Sequence, residues 1–225
     1  MTTITSDPVV TTTDTRPRST ATEPTVALKR RTIDSVFVGV GAVLVVVLVV
    51  AGGLLTWGAN FSKDYVNDEL TSQNIAFPPA AALEEEGRTD LLPFAGHAVN
   101  TGAEAEAYAS FINGHLEGIA DGATYADLGG PEREAGAAVE TATANGASAS
   151  EVAALQGEAD AITGQRNTLF KGETLRGLLL SAFAWSTVGR IAGFAALAAF
   201  AAAGVMLVLV ALGLRHHHKA VVQTR

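Results

Sequence analysis

The sequence predicts an all-α membrane protein in which two transmembrane helices flank an extracytoplasmic helical domain. Three observations predict it. Two uncharged apolar runs, 36–57 and 191–214, lie towards the two ends of the 225-residue chain. Charge is partitioned between them: five basic and four acidic groups in the first 35 residues, seven and nineteen in residues 58–190, and three and none in the last 35. The formal net charge of −8 therefore conceals balances of +1, −12 and +3. Finally, the central block shows capping signals and helical apolar spacing but no sustained period-two alternation. Basic flanks around an acidic middle place both termini in the cytoplasm and the middle outside the plasma membrane.

Residues 1–32 form a Thr-rich tail with scattered proline and no apolar periodicity. Such a segment buries too little surface to offset its ordering entropy, so a disordered cytoplasmic tail is expected. Lys29, Arg30 and Arg31 then precede the first span, 33–57. Its uncharged run of 22 residues reaches about 33 Å as a helix, enough for a hydrocarbon core of about 30 Å. The run is rich in valine, which in water would favour strand. In lipid, the need to satisfy every backbone group within the segment favours helix. Trp57 closes the span as an interfacial anchor. The run is too long for the apolar region of a signal peptide, and Trp57 stands where a small residue should precede a cut, so the helix is read as an uncleaved anchor.

The second apolar region, Gly177 to Leu214, is interrupted only by Arg190. As one helix it would reach about 57 Å, too long for one crossing. A single span over 191–214, with Arg190 at the outer headgroups and a basic tail 215–225 inside, satisfies the positive-inside bias. Two crossings would put that tail outside. Arg215 and Lys219 are the inner anchors. The three histidines between them, His216 to His218, point about 100° apart on a helix and do not converge on one ion, so they belong to the basic stop. "LLLSAFAW", 178–185, is expected to pack above the membrane or lie in its interface, with Trp185 as the amphipathic marker.

The extracytoplasmic domain, 58–190, should be a small helical bundle. "FSKDYVNDELTSQN" continues the first helix outward until Pro78 and Pro79 break it. Thr101 with Glu104 is a capping box opening a helix to about Ala120, with a stripe of Ala105, Tyr108, Ile112, His115 and Ile119. "DGATYADLGG" is a loop, and Pro131 suits the first turn of a helix to about Asn145. Ser148 with Glu151 is a second capping box. After it, Val152, Leu155, Ala159, Ile162, Arg166 and Leu169 are spaced as a short heptad seam, expected to pack on the outward extension of the first span as an antiparallel stalk. Arg166 interrupts its last heptad. The core is thin in large apolar side chains, and with no cysteine in the chain no disulfide supplements it.

Few residues offer chemistry. His97 and His115, with Glu104, Glu117 or Asp121, are the candidates for a metal site. Their spacing is not that of a ligand pair, and His115 falls on its helix's apolar stripe, where a core imidazole bonded to a carbonyl is the ordinary arrangement. Asp121 and Asp127 flank a Gly-containing turn and could bind a cation or act as acid and base, but turns recruit Asp for backbone reasons. Glu84 to Glu86 reads as a solvated face. There is no phosphate-binding loop, serine elbow or HExxH, so no catalytic, cofactor-binding or metal residue and no cofactor is expected. An acidic domain repels phosphates, which excludes nucleic acid as its partner. Neither span has an ionisable residue at its centre, which counts against an ion or proton pathway. Gly189 and Gly193, continued by Ala196, Ala199 and Ala203, form a small-residue face suited to helix packing. The expected partners are the lipid bilayer and a membrane protein or second copy, engaged through the spans and the stalk.

The segments "TGAEAEAYA" (101–109) and "GETLRGLLL" (172–180), within a likeness covering roughly residues 33–214, resemble a family of uncharacterised two-span membrane proteins of high-GC Gram-positive bacteria. The resemblance implies the same topology. Members sometimes carry the label aromatic ring-opening dioxygenase, which implies an iron enzyme with a defined set of His and Glu ligands. The expected function is that of a non-enzymatic accessory, scaffold or sensor subunit of an envelope complex. The alternatives are a metal-dependent enzyme of that dioxygenase type and a ligand or cation sensor.

Overall fold

The computed structural model describes the backbone of residues 30–222 and the side chains of residues 32–33 and 35–215. The expected disordered tail falls almost wholly outside these residues. The described chain is helical: α1 Arg30–Ser72, α2 Ala80–Glu85, a 3-10 helix Thr89–Phe94, α3 Gly102–Glu117, α4 Gly129–Ala144 and α5 Ala149–Val222. Among the described residues the one β-type pairing is an isolated antiparallel bridge between Ala76 and Ala98. α1 has 43 residues and α5 has 74, so they run about 64 Å and 110 Å.

α1 and α5 form an antiparallel pair. Gly41 lies against Val210, Gly52 against the Phe200 ring, Ser62 against Gly189, and Val38 against Gly213. A residue n of α1 thus faces residue 251 − n of α5, give or take one. That register sets the uncharged run 36–57 beside 194–215, so the two apolar belts share one slab. Each helix is long and apolar enough to cross a membrane, and only 11% of each apolar window is buried. The inward face of α1 is Gly41, Val45, Leu48, Gly52, Leu55, Ala59, Ser62 and Val66. The steps of four and three are a heptad seam, the period that keeps one stripe against a partner. α5 answers with Gly189, Ala192, Ala196, Ala199, Ala203, Met206, Val210 and Gly213. Small residues on one helix receive larger ones from the other, Gly41 against Val210 and Gly52 against Phe200, which brings the backbones together, while most of the large apolar side chains are left outside.

Beyond the belts the pair carries the small domain. α1 runs on to Ser72 and ends where Asn74 takes a left-handed φ of 52° ahead of Pro78 and Pro79. The segment 75–99 folds back over the helices through the Ala76–Ala98 bridge. Its Phe77, Leu83, Leu91 and Val99 join Val66 and Leu70 of α1, Ala105, Ala109 and Phe111 of α3, and Leu179 of α5 in one core. A second cluster joins Leu116, Leu128 and Leu169.

Several expectations change. The seam 152–169 does not pack on α1. By the register above, Ser72 at the outer end of α1 reaches only to residue 179, so the seam lies beyond it and packs on α4 and the end of α3. Arg166 is no defect in that seam. It ion-pairs with Glu132, donates from Nε to the Tyr125 carbonyl at 3.3 Å, and lies 4.1 Å over the Tyr125 ring. Residues 178–185 run on within the uninterrupted α5, with Leu179 buried in the core. α3 stops at Glu117, three residues early. Of its expected stripe, Ala105 is buried and Tyr108, Ile112 and Ile119 pack against the two clusters; Ala109, Phe111 and Leu116 are buried as well, and Leu116 fits the notch at Gly172 of α5. His115 is thereby turned out of the core.

Candidate functional site: a three-helix junction at the end of the apolar belts

Where the pair leaves the apolar slab, α3 meets it. A Cβ on Gly189 would lie 2.8 Å from Cβ and Oγ of Ser62, and a Cβ on Gly102 would lie 2.3 Å from Cβ of Ser186. Glycine is needed at both positions for the backbones to come this near. The Ser62 hydroxyl donates to the Trp185 carbonyl at 2.6 Å, which satisfies a buried hydroxyl. α3 is held at this place by its cap. Thr101 Oγ1 accepts from Glu104 N–H at 3.3 Å, and Glu104 Oε2 accepts from the Asn100 and Thr101 N–H groups, each at 3.0 Å. Asn67 of α1 donates from Nδ2 to the Asn100 carbonyl at 3.1 Å. These small residues leave a cavity of about 410 Å³ between α1, α5 and the α3 cap. Lys63 and Arg190 flank it, and Asn60 and Asn67 line its α1 wall. The Arg190 guanidinium donates to Thr187 Oγ1 at 3.2 Å, leaving most of its five donors for other partners.

The other residues singled out in the sequence fall as follows. Trp57 is exposed on the outside of α1 and stacks on Phe61 at 5.7 Å, which stacks on Tyr65 at 6.1 Å. Arg215 is exposed at the far end of α5. Lys29 lies outside the described residues, as do the side chains of Arg30, Arg31 and Lys219, whose backbones are helical. Gly193 is less crowded than Gly189, since a Cβ there would meet that of Ala59 at 3.8 Å.

The structure does not bring His97 and His115 together. His97 Nδ1 lies 4.0 Å from Glu104 Oε1, and His115 Nε2 lies 3.6 Å from Glu86 Oε2. Eleven residue steps along α3, from Glu104 to His115, separate the two pairs by about 16 Å. His115 Nδ1 lies 3.1 Å from the Phe111 carbonyl, but the imidazole is half exposed rather than in the core. Among the described residues no three His, Asp or Glu side chains converge as a metal site. Asp127 is occupied locally: Oδ2 accepts from Thr124 N at 2.9 Å and Thr124 Oγ1 at 2.6 Å. Those hydrogen bonds hold its carboxyl below the usual range. Asp121 occupies a left-handed turn position, φ 51°.

Sequence reading missed two features. Arg88 grips Asp90 through two hydrogen bonds of 3.0 and 2.8 Å and donates to the Ser110 carbonyl and hydroxyl, each at 2.9 Å. The pair lowers the Asp90 pKa, chiefly through the Arg88 hydrogen bond, and raises that of Arg88. This clip ties the segment before the 3-10 helix to α3. The second is the cavity. Lys63 is the only basic residue between Trp57 and Arg88, which was a visible signal, but its proximity to Arg190 depends on the helix register. Comparison with protein-family models, curated proteins and solved structures finds no match for the chain.

Proposed function

We propose that the protein spans the plasma membrane twice with both ends in the cytoplasm, and that it is a non-enzymatic accessory or scaffold subunit of an envelope complex. The carrying observation is the unfilled outer surface of the α1–α5 pair. Phe37, Val40, Leu54, Phe194, Leu197 and Val208 are among many large apolar side chains left exposed along both belts. A helix pair in water would bury such residues, whereas lipid is their natural solvent. The aligned belts, and basic residues at the end where α1 begins and α5 finishes, support the orientation.

The stalk supports the partner. Tyr65, Leu175, Leu178 and Trp185 line a groove of about 290 Å³ between α1 and α5. Each is at least 40% exposed. Leu178 lies twelve residues beyond Arg190, about 18 Å further from the slab, past the headgroup zone of about 5–8 Å per side. Apolar side chains exposed in water on a rigid helix mark an interaction surface. The proposed occupant is the extracytoplasmic part of another membrane protein. Photo-crosslinkers at Leu178 and Trp185 in native membranes should give one saturable adduct, absent when the crosslinker replaces exposed Glu158. Equal labelling at all three positions, or none, would refute the docking surface. Reporter fusions at both ends test the threading, which a C-terminus outside would overturn.

A further inference from the structure

The cavity at the three-helix junction carries a charge anomaly. Residues 58–190 have a balance of −12, yet the twelve residues around this cavity include two cations, Lys63 and Arg190, and no carboxylate. Neither cation is in an ion pair among the described residues. The neighbouring Glu104 directs Oε2 into the cap, where it also accepts from Thr101 Oγ1 at 2.9 Å. A basic cavity inside an acidic domain is selective by charge for an anion, and its volume lies in the range of small-ligand sites, about 300–1,000 Å³.

Position narrows the anion. By the helix register, Lys63 of α1 stands level with residue 188 of α5, two residues from Arg190, so both cations lie within about 3 Å of one height. Trp57 stands level with residue 194. The cations are therefore some four to six residues, or about 6–9 Å, beyond the tryptophan that closes the apolar belt. Headgroup phosphates lie in this zone, immediately outside a hydrocarbon core of about 30 Å. A soluble anion approaching from outside would have to pass an acidic domain, whereas a lipid phosphate diffuses in laterally at the right depth. Arg190 can chelate two phosphate oxygens, Lys63 supplies a point charge, and Asn60 and Asn67 can accept from or donate to the alcohol beyond the phosphate.

We propose that this cavity binds the phosphate of one anionic phospholipid of the outer leaflet, held between Lys63 and Arg190. The proposal rests on the two-span reading above. Its test uses the full chain reconstituted into vesicles of phosphatidylcholine alone and of phosphatidylcholine with phosphatidylglycerol, followed by native mass spectrometry of the protein released in mild detergent. The expected result is one retained phosphatidylglycerol per chain and no comparable retention of phosphatidylcholine. The Lys63→Gln/Arg190→Gln variant should retain it roughly thirty-fold less well, the product of two basic contacts at an anionic surface. Arg176→Gln, about four turns further out on α5 and already paired with Glu173 at 2.9 Å, should retain it as the unaltered chain does. Equal retention of the two lipids by the unaltered chain overturns the proposal whatever the variants do. So does equal retention by the double variant, with its helix content unchanged. Displacement of the lipid by millimolar inorganic phosphate identifies a site for free anions and refutes the lipid source. A chain that reconstitutes but does not discriminate refutes only this site. A chain that remains in the aqueous phase refutes the two-span reading, and this proposal with it.

Discussion

Gly189→Ala and Gly193→Ala are the same substitution one helical turn apart, and the structure assigns them opposite signs. At 189 the new methyl would stand 2.8 Å from Cβ and Oγ of Ser62 and 3.4 Å from the Ala59 carbonyl oxygen. Carbon atoms in contact prefer about 3.5–4.0 Å, so the helices must part by about 0.7 Å or more, enough to forfeit a quarter or more of each contact in the seam around it. Overpacking of this kind costs about 1–3 kcal/mol. The movement also strains the 2.6 Å bond from Ser62 Oγ to the Trp185 carbonyl, worth about 0.5–1.5 kcal/mol. Against this, alanine is favoured over glycine in a helix by about 0.8–1.0 kcal/mol. The net loss at 189 is about 1–2 kcal/mol. At 193 the methyl meets the Ala59 Cβ at 3.8 Å, an ordinary contact, and the propensity gain remains. Denaturant titration of the full chain in mild detergent, followed by circular dichroism, should therefore separate the variants by about 2 kcal/mol, with Gly189→Ala the weaker. Equal stabilities, or the reverse order, would refute the close packing of α5 on Ser62.

Leu83→Ala empties a fully buried position and should cost about 2–5 kcal/mol, read as faster proteolysis within 75–99. Arg166→Met removes the ion pair with Glu132 and the bond to the Tyr125 carbonyl. With both ionic side chains about a quarter exposed, the loss should be about 1–2 kcal/mol, and amide exchange should quicken over 124–133 while the rest of α5 stays protected. Thr101→Ala deletes the cap of α3 and should cost about 1 kcal/mol. Asp90 and Asp127 have folded pKa values lowered from 3.8, Asp90 by the Arg88 hydrogen bond and Asp127 by those from Thr124. Their contribution is complete above pH 3.8 and is lost as pH falls through the lowered values. An acid titration of the domain should therefore steepen below that pH, and less so in Asp90→Asn/Asp127→Asn.

Much of the architecture was written locally in the sequence. The capping box at Thr101 and Glu104 and the outward run of α1 to its proline break depend on neighbours within a few residues. The register of α1 on α5 does not. It is set by Gly41, Gly52 and Gly189, which in a chain of 23 glycines carry no local mark of which partner each one meets. The seam 152–169 was legible as a stripe, but its partner was not, because that depends on where α1 runs out. Arg166 looked like a fault for the same reason: Glu132 and Tyr125, which occupy it, lie 34 and 41 residues away. The junction cavity is the most distant of these consequences, since Lys63 and Arg190 come level only once the register is fixed.

That register also explains how so sparse a domain holds together. Its main core has ten buried residues, of which Val66 and Leu70 come from α1 and Leu179 from α5. The second cluster has three, and one of them, Leu169, is again from α5. The segment between the two long helices, 73–148, keeps no complete core when separated from them. α1 and α5 in turn are fixed at their outer ends by the same residues, through Ser62, Gly189 and the α3 cap resting on Ser186. The small domain and the helix pair therefore fold as one unit. The energy that aligns the apolar belts is the same energy that orders the small domain, and a substitution in the seam, such as Gly189→Ala, should loosen α3 as well as the pair.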